Sequence, residues 1–255
     1  MSRGRVTLVG AGPGAVDLIT LRGQRALAAA EVVVYDDLAN PELLDLCPET
    51  TRRIYVGKRA GLHLVPQDRI SAILIEEARQ GRVVVRLKGG DPLIFGRGGE
   101  ELQALAEAGI PCEVVPGITA AMAAGAGTGI PLTHRDQASA VVFVTGHECA
   151  GKPSGRPGVD WAALARTGAT LCIYMGVRRL PEIAAALQEG GLSSATPVAV
   201  VANATLPSQH VHLTTLAVAP ALSAGLKGQP ALIIVGEVVR WAELQSTMRS
   251  LQLAG

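Results

Sequence analysis

Short, nearly unbroken apolar runs that each stop at a turn rich in glycine or acid constrain this chain more than any other feature. Arg5 to Gly10 (RVTLVG) ends at Gly10-Ala11-Gly12-Pro13-Gly14, and Glu31 to Asp37 (EVVVYDD) ends in two carboxylates. Arg53 to Val56 ends at Gly57-Lys58-Arg59-Ala60-Gly61, and the strand at Val83 runs into Arg86-Leu87-Lys88 and breaks at Gly89-Gly90-Asp91-Pro92. Cys112 to Val115 makes a fifth run. Between them, Asp17 to Ala30, Pro66 to Arg79 and Glu100 to Ala108 carry helical spacing. Strands that alternate with helices predict an α/β fold with a parallel sheet, functional groups gathering at the carboxyl ends of its strands.

Pro116-Gly117-Ile118-Thr119-Ala120 reads as a crossing into a second domain, since the alternation restarts beyond it, giving domains 1–117 and 118–255. Strands are expected at Ala140 to Thr145, Ala169 to Met175, Pro197 to Ala202, His210 to Leu216 and Ala231 to Gly236. Helices are expected at Trp161, over Leu180 to Glu189 and at the end of the chain, and Ala150 to Val159 reads as a mobile Gly/Pro-rich loop.

Composition narrows the function. A net charge of +1 with no block of lysine or arginine argues against nucleic acid bound through its phosphates. Two Trp, three Tyr and two Phe make a poor base-stacking platform. The four cysteines form no Cys-x-x-Cys pair and read as free thiols of a reducing compartment, and His210 with His212 lacks a third ligand, so no metal is expected. The charge-free window Val114 to Thr133 holds Pro116, Pro131 and several glycines, so it reads as turns around an Ala-rich helix, not a membrane span. The expectation is a soluble cytoplasmic protein.

The glycine turns admit two readings. Gly10 to Ala15 satisfies G-x-G-x-x-A after a strand, with Asp36 or Asp37 ending the next strand as a ribose-binding acid would, which is the pattern of an NAD(P)-dependent oxidoreductase. Against it, Pro13 has no amide hydrogen in a loop whose work is to offer amides to pyrophosphate. Charges also recur at the ends of the second, third and fourth strands, which suggests one broad cleft.

The motifs VGAGPG (Val9 to Gly14), VVVYDDL (Val32 to Leu38), VGKRAG (Val56 to Gly61), RLKGGDP (Arg86 to Pro92), FGRGGEE (Phe95 to Glu101), VVPGITA (Val114 to Ala120) and GIPLTHR (Gly129 to Arg135) resemble the tetrapyrrole methylases. The resemblance runs on through VTGHE, YMG and PALIIVG (Pro230 to Gly236). Within the family it is nearest to the uroporphyrinogen-III C-methyltransferases. It implies two α/β domains, the first sheet mainly parallel and the second mixed, with the active-site cleft between them, in a homodimer. It also implies S-adenosyl-L-methionine as methyl donor. By resemblance the donor meets Pro13, Gly89, Gly90, Asp91, Ile94, Thr119, Ala120, Met175, Ala204 and Ala231. The implied reaction methylates two carbons of uroporphyrinogen III, by way of precorrin-1 to precorrin-2, and feeds sirohaem or cobalamin synthesis. A later corrin intermediate is the alternative acceptor. Some relatives carry a dehydrogenase and ferrochelatase module ahead of this region; this chain starts at the methylase and is expected to lack those activities.

Methyl transfer needs in-line positioning more than acid–base chemistry. The pyrrole becomes cationic and then loses a proton, so a carboxylate is wanted: Asp36 is the first candidate for general base and Glu100 the second. Lys58 matches the family position of a proton donor, or orients a substrate carboxylate. Asp91 is expected to project from its strand end toward the donor's amino group or ribose. Substrate carboxylates call for guanidinium groups, for which Arg97 and Arg135 are best placed, with Arg59 next. Arg86 and Lys88 flank the glycine turn, and Arg86 also suits a pairing beneath the sheet.

Overall fold

The computed structural model describes residues 4–57, 65–147, 158–226 and 228–242 of the 255-residue chain. Lys58 and Arg59, most of the Gly/Pro-rich loop and the end of the chain lie outside the described residues. The chain divides into two compact units, Met1–Ala120 and Ala121–Gly255.

In the first unit, β1 (Arg5–Gly10), β2 (Val32–Tyr35), β3 (Arg52–Tyr55), β4 (Val83–Lys88) and β5 (Cys112–Val115) form one sheet in the order β3-β2-β4-β1-β5, with every pairing parallel. Successive strand residues face opposite sides. Val9, Val33, Val85 and Leu87 therefore pack with Leu27 of α1 (Leu21–Ala28). On the other face Val6, Leu8, Val32, Val34 and Val84 pack with Ile70 and Leu74 of α2 (Gln67–Arg79) and Leu105 of α3 (Gly98–Glu107). Burial on both faces explains why the strands read as continuous apolar runs.

The helix expected over Asp17 to Ala30 is broken: a 3-10 turn at Val16–Leu18 comes first, and α1 begins only after Thr20, whose hydroxyl accepts from Gly23 N at 3.1 Å. Thr20 is an N-cap, and that single hydrogen bond restarts the helix one turn late. The charge-free window holds β5's last residues and the nine-residue α4 (Ala120–Thr128). Among the described residues no helix is long and apolar enough to cross a membrane.

The second unit contains β6 (Val141–Thr145), α5 (Trp161–Ala165), β7 (Thr170–Tyr174), α6 (Leu180–Glu189), β8 (Pro197–Ala202), β9 (His210–Thr215) and β10 (Ala231–Val235). Its sheet runs β6-β7-β10-β8-β9, with β6 and β7 parallel and the other neighbours antiparallel. Leu171, Ile173, Val200 and Ile233 meet Leu180, Ile183 and Leu187 on one face; Cys172, Ala199 and Ile234 meet Ala121, Ala124 and Val238 on the other. The molecule is thus a pair of α/β units, one sheet parallel and one mixed.

Candidate active site

The first unit has a topological switch point at β4. The connection after β1 crosses toward β2, whereas the connection after β4 crosses the other way to β5, and β1 and β4 are neighbours. The two connections run over opposite faces of the sheet, α1 packing on one and α3 on the other, and at such a point open α/β sheets bind ligands in a crevice outside the carboxyl ends of the strands.

At that crevice the glycines bring backbone onto backbone. Gly12 N donates to Gly90 O at 3.2 Å, Gly90 N donates to Gly12 O at 2.7 Å, and Ala11 N donates to Lys88 O at 2.7 Å. A methyl group on Gly10 would lie 2.5 Å from Gly117 Cα, and one on Gly117 would lie 2.2 Å from Gly90 O. The turns after β1, β4 and β5 are therefore locked together by residues without side chains. Gly90 differs: at φ 67° a methyl there would meet nothing nearer than Thr119 Cα at 3.8 Å. That opening, beside the half-buried Pro13 and Gly89 and the exposed Ile94, is a cradle that a flat or compact ligand can fill.

The same hydrogen bonds argue against the dinucleotide reading. The amides of Ala11 and Gly12 are spent on β4 and its loop, Pro13 has none, and α1 starts seven residues after Gly14, so the N-terminus of α1 does not follow directly on the turn.

Asp91 does not project freely. Its Oδ1 accepts from Leu93 N at 2.8 Å and its Oδ2 from Gly117 N at 3.0 Å. A carboxylate before proline at a strand end finds the nearest orphan amides, and here one of them belongs to the β5 turn. Asp91 thus ties two loops together, and each oxygen keeps only its remaining lone pair for a ligand.

Asp36, at the end of β2, accepts from Leu38 N through Oδ1 at 3.1 Å and from Arg86 Nη2 through Oδ2 at 2.7 Å. Arg86 does pair beneath the sheet: it and Lys88 share the face of β4 that looks at α3, and both reach the buried Glu101. Burial pushes the Lys88 ammonium below its ordinary pKa, the like charge of Arg86 adds to this, and Glu101 opposes it.

Arg97 and Glu100 sit at the exposed start of α3 and pair with each other, Nε to Oε1 at 2.9 Å and Nη2 to Oε2 at 2.6 Å. Hydrogen bonding from Arg97, before any other influence, holds the Glu100 carboxyl below the ordinary carboxylate range. Glu100, the second candidate for general base, therefore stands as a carboxylate paired with Arg97. At more than half exposure the pair is a weak one.

In the second unit, Met175 follows β7, Ala204 follows β8 and Ala231 opens β10, which lies between β7 and β8. Ala231 is in register with Ala202, and Asn203 N donates to Pro230 O at 2.9 Å, so the three residues gather at one end of the sheet. Ala121 N donates to Tyr174 Oη at 3.1 Å, which brings the start of α4 to the same end. In the first unit, Thr119 is buried and Ala120 half-buried. Arg135 stands exposed in the turn closed by the bridge between His134 and Ala138, where His134 stacks on Trp241 with ring centroids 4.9 Å apart.

Sequence reasoning missed Asn203 and Thr205. Non-glycine residues with positive φ among the described residues are Phe95, Arg97, Met175, Asn203 and Thr205. All five lie in the three loops that carry Ile94, Met175 and Ala204. Thr205 is β-branched at φ 69°, a strained geometry held in part by Gln209, whose Oε1 accepts from Thr205 N at 2.7 Å. Asparagine, which tolerates this region, was the available signal. Asn40 was missed as well; its Nδ2 donates to Gly14 O at 2.8 Å and fixes the first turn. Among the described residues no group of three or more His, Cys, Asp or Glu is placed to hold a metal.

Comparison with known proteins identifies the family. The family described as Tetrapyrrole (Corrin/Porphyrin) Methylases matches residues 5–220. A siroheme synthase 1 of Yersinia pseudotuberculosis is 54% identical over 92% of this chain and 49% of its own length. The chain therefore spans about half the length of the curated relatives it matches. Among solved structures, the uroporphyrin-III C-methyl transferase of Thermus thermophilus complexed with S-adenyl homocysteine is 40% identical over 93% of this chain and 94% of that one, with a TM-score of 0.78. A cobalt precorrin-4 methyltransferase is 28% identical over 92% and 95% of the two chains, with a TM-score of 0.80. The chain belongs to the tetrapyrrole (corrin/porphyrin) methylase family.

Proposed function

We propose that this chain is an S-adenosyl-L-methionine-dependent C-methyltransferase that methylates two pyrrole carbons of uroporphyrinogen III in turn, through precorrin-1 to precorrin-2, in the supply of sirohaem or cobalamin. The observation that carries the reading is the open cradle at Gly90 and Thr119, walled by the locked turns of β1, β4 and β5 at the switch point. Similarity over nearly the whole chain to a methyltransferase solved with S-adenyl homocysteine supports the same donor here.

The donor, when bound, supplies an electrophilic methyl group. Gly89 and Gly90 let backbone come close to it, Pro13 and Ile94 flank it, and Asp91 holds the β4 and β5 turns at a fixed separation while offering its remaining lone pairs. Thr119 and Ala120 belong to the same donor set. The resemblance assigns Met175, Ala204 and Ala231 to it also; what they offer is small or polarisable apolar surface.

Asp36 faces the acceptor. Its carboxylate, fixed by Leu38 N and Arg86, stabilises positive charge on the methylated ring and accepts the proton released from the macrocycle. Arg97 and Arg135 bind carboxylates of the substrate rim, and Arg97 leaves Glu100 to do so. Lys58 keeps the role given by resemblance, and Arg59 is the next candidate for a substrate carboxylate. The reading includes a cytoplasmic homodimer, for which the free thiols of Cys47, Cys112 and Cys172 and the family resemblance are the support.

The test is anaerobic incubation of purified protein with donor and uroporphyrinogen III, followed by mass analysis. Multiple turnovers to a doubly methylated product are expected. A folded protein that yields none fails the substrate assignment, and turnover only with a more heavily methylated precursor would move it to a later corrin intermediate.

A further inference from the structure

Four charged groups run in a line from the interior of the first unit to its surface. Glu101, wholly buried on α3, takes three donors on one oxygen: Arg86 Nε at 3.2 Å, Lys88 Nζ at 3.0 Å and Gln67 Nε2 at 3.0 Å all reach Oε1. Its Oε2 has no partner among the described residues. Arg86, with 3% of its side chain exposed, uses its remaining nitrogens on Leu87 O at 2.9 Å and on Asp36 Oδ2 at 2.7 Å. Asp36, a quarter exposed, is the one carboxylate of the line that reaches solvent.

Such a cluster is a poor way to gain stability. Each buried ion costs several kcal/mol of desolvation, and apolar residues of similar volume are often as good or better. Leaving Oε2 unsatisfied adds to the cost. What the arrangement does achieve is direction. With Glu101 gripping Nε and a backbone carbonyl gripping Nη1, the planar guanidinium has no freedom left, so Nη2 fixes the Asp36 carboxylate from inside while Leu38 N fixes it from the loop.

We propose that Arg86, anchored by Glu101, is the positioning residue of the methyl-transfer reaction and acts only through the aim of Asp36. This rests on the reading of Asp36 given above. A lysine in place of Arg86 keeps the charge and cannot span both carboxylates, so Arg86→Lys lowers kcat about 10- to 100-fold. KM for the tetrapyrrole and the Kd for S-adenosylhomocysteine stay within about twofold, because the donor and the substrate rim meet other residues.

The decisive experiment is a double-mutant cycle on kcat with Arg86→Lys, Asp36→Asn and the pair together. A residue acting through Asp36 gives a double variant no slower than the slower single. Losses that multiply, a wild-type kcat in Arg86→Lys, or an effect that falls on KM or Kd instead would overturn the proposal. Should Arg86→Lys fail to fold, Glu101→Gln takes its place, since it keeps the shape and removes the anchor's charge; a lowered kcat at unchanged KM supports the proposal and a wild-type kcat overturns it. A wild-type enzyme inactive on every tetrapyrrole tried removes both readings, whereas an active wild type with an unimpaired Arg86→Lys removes this one alone.

Discussion

Gly12 and Gly90 hydrogen-bond each other in both directions, at 3.2 and 2.7 Å, across 78 residues of chain. This short bridge joins the turns after β1 and β4 at the switch point, and Gly117 of the β5 turn packs its backbone against it. Gly117→Ala forces a methyl to within 2.2 Å of the Gly90 carbonyl. A loss of about 1–3 kcal/mol in chemical denaturation, with loss of donor binding, is expected. Gly99→Ala is the control, since nothing lies within 4 Å of its added methyl; it should change stability by no more than about 1 kcal/mol and leave binding intact.

Asp36→Asn and Arg97→Ala should separate chemistry from binding. Asp36→Asn is expected to lower kcat and keep the affinity for S-adenosylhomocysteine. Arg97→Ala is expected to raise KM for the tetrapyrrole with less than about 1 kcal/mol change in stability, because its ion pair is exposed. Loss of donor affinity in either variant, measured by calorimetry, would assign that residue to the other pocket.

The Arg97–Glu100 pair also has a pH signature. Glu100 is held below its ordinary pKa, so whatever the pair contributes is present above the unfolded carboxylate range and disappears as pH falls through the lower folded value. An NMR titration of the Glu100 side chain should show its midpoint rising in Arg97→Ala. No movement would mean that the hydrogen bonds do not set it.

Burial raises all three described thiols: Cys47 upward, Cys112 to about 11 and Cys172 to about 12. The thiolate is the reactive form, so native protein carrying Cys149→Ser should react with a disulfide reagent at pH 8 far more slowly than the same protein unfolded. Rapid stoichiometric labelling of the native state would contradict the burial.

The strands, the glycine turns and the family motifs were legible in the sequence because apolar runs and glycine clusters are local signals. Asp36 and Arg86 could be named, Arg86 even as a partner beneath the sheet. Their contact could not, because it depends on the pairing of β2 with β4, placed side by side although β3 comes between them in the chain. Glu101 shows a signal that was overlooked. It lies four residues before buried Leu105 on the inward stripe of α3, whereas Glu100 points outward to Arg97. Asp91 illustrates the opposite case: the residue stands out in the sequence, but both its oxygens turn to backbone amides, one of them 26 residues away, that no local pattern announces.

The most direct test of the central claim is a calorimetric titration of the folded chain with S-adenosylhomocysteine, run beside one with NAD(P). One molecule taken up per chain, no heat from the nucleotide and loss of uptake in Gly117→Ala are the predicted results. Well-folded protein that takes up no S-adenosylhomocysteine would contradict the account.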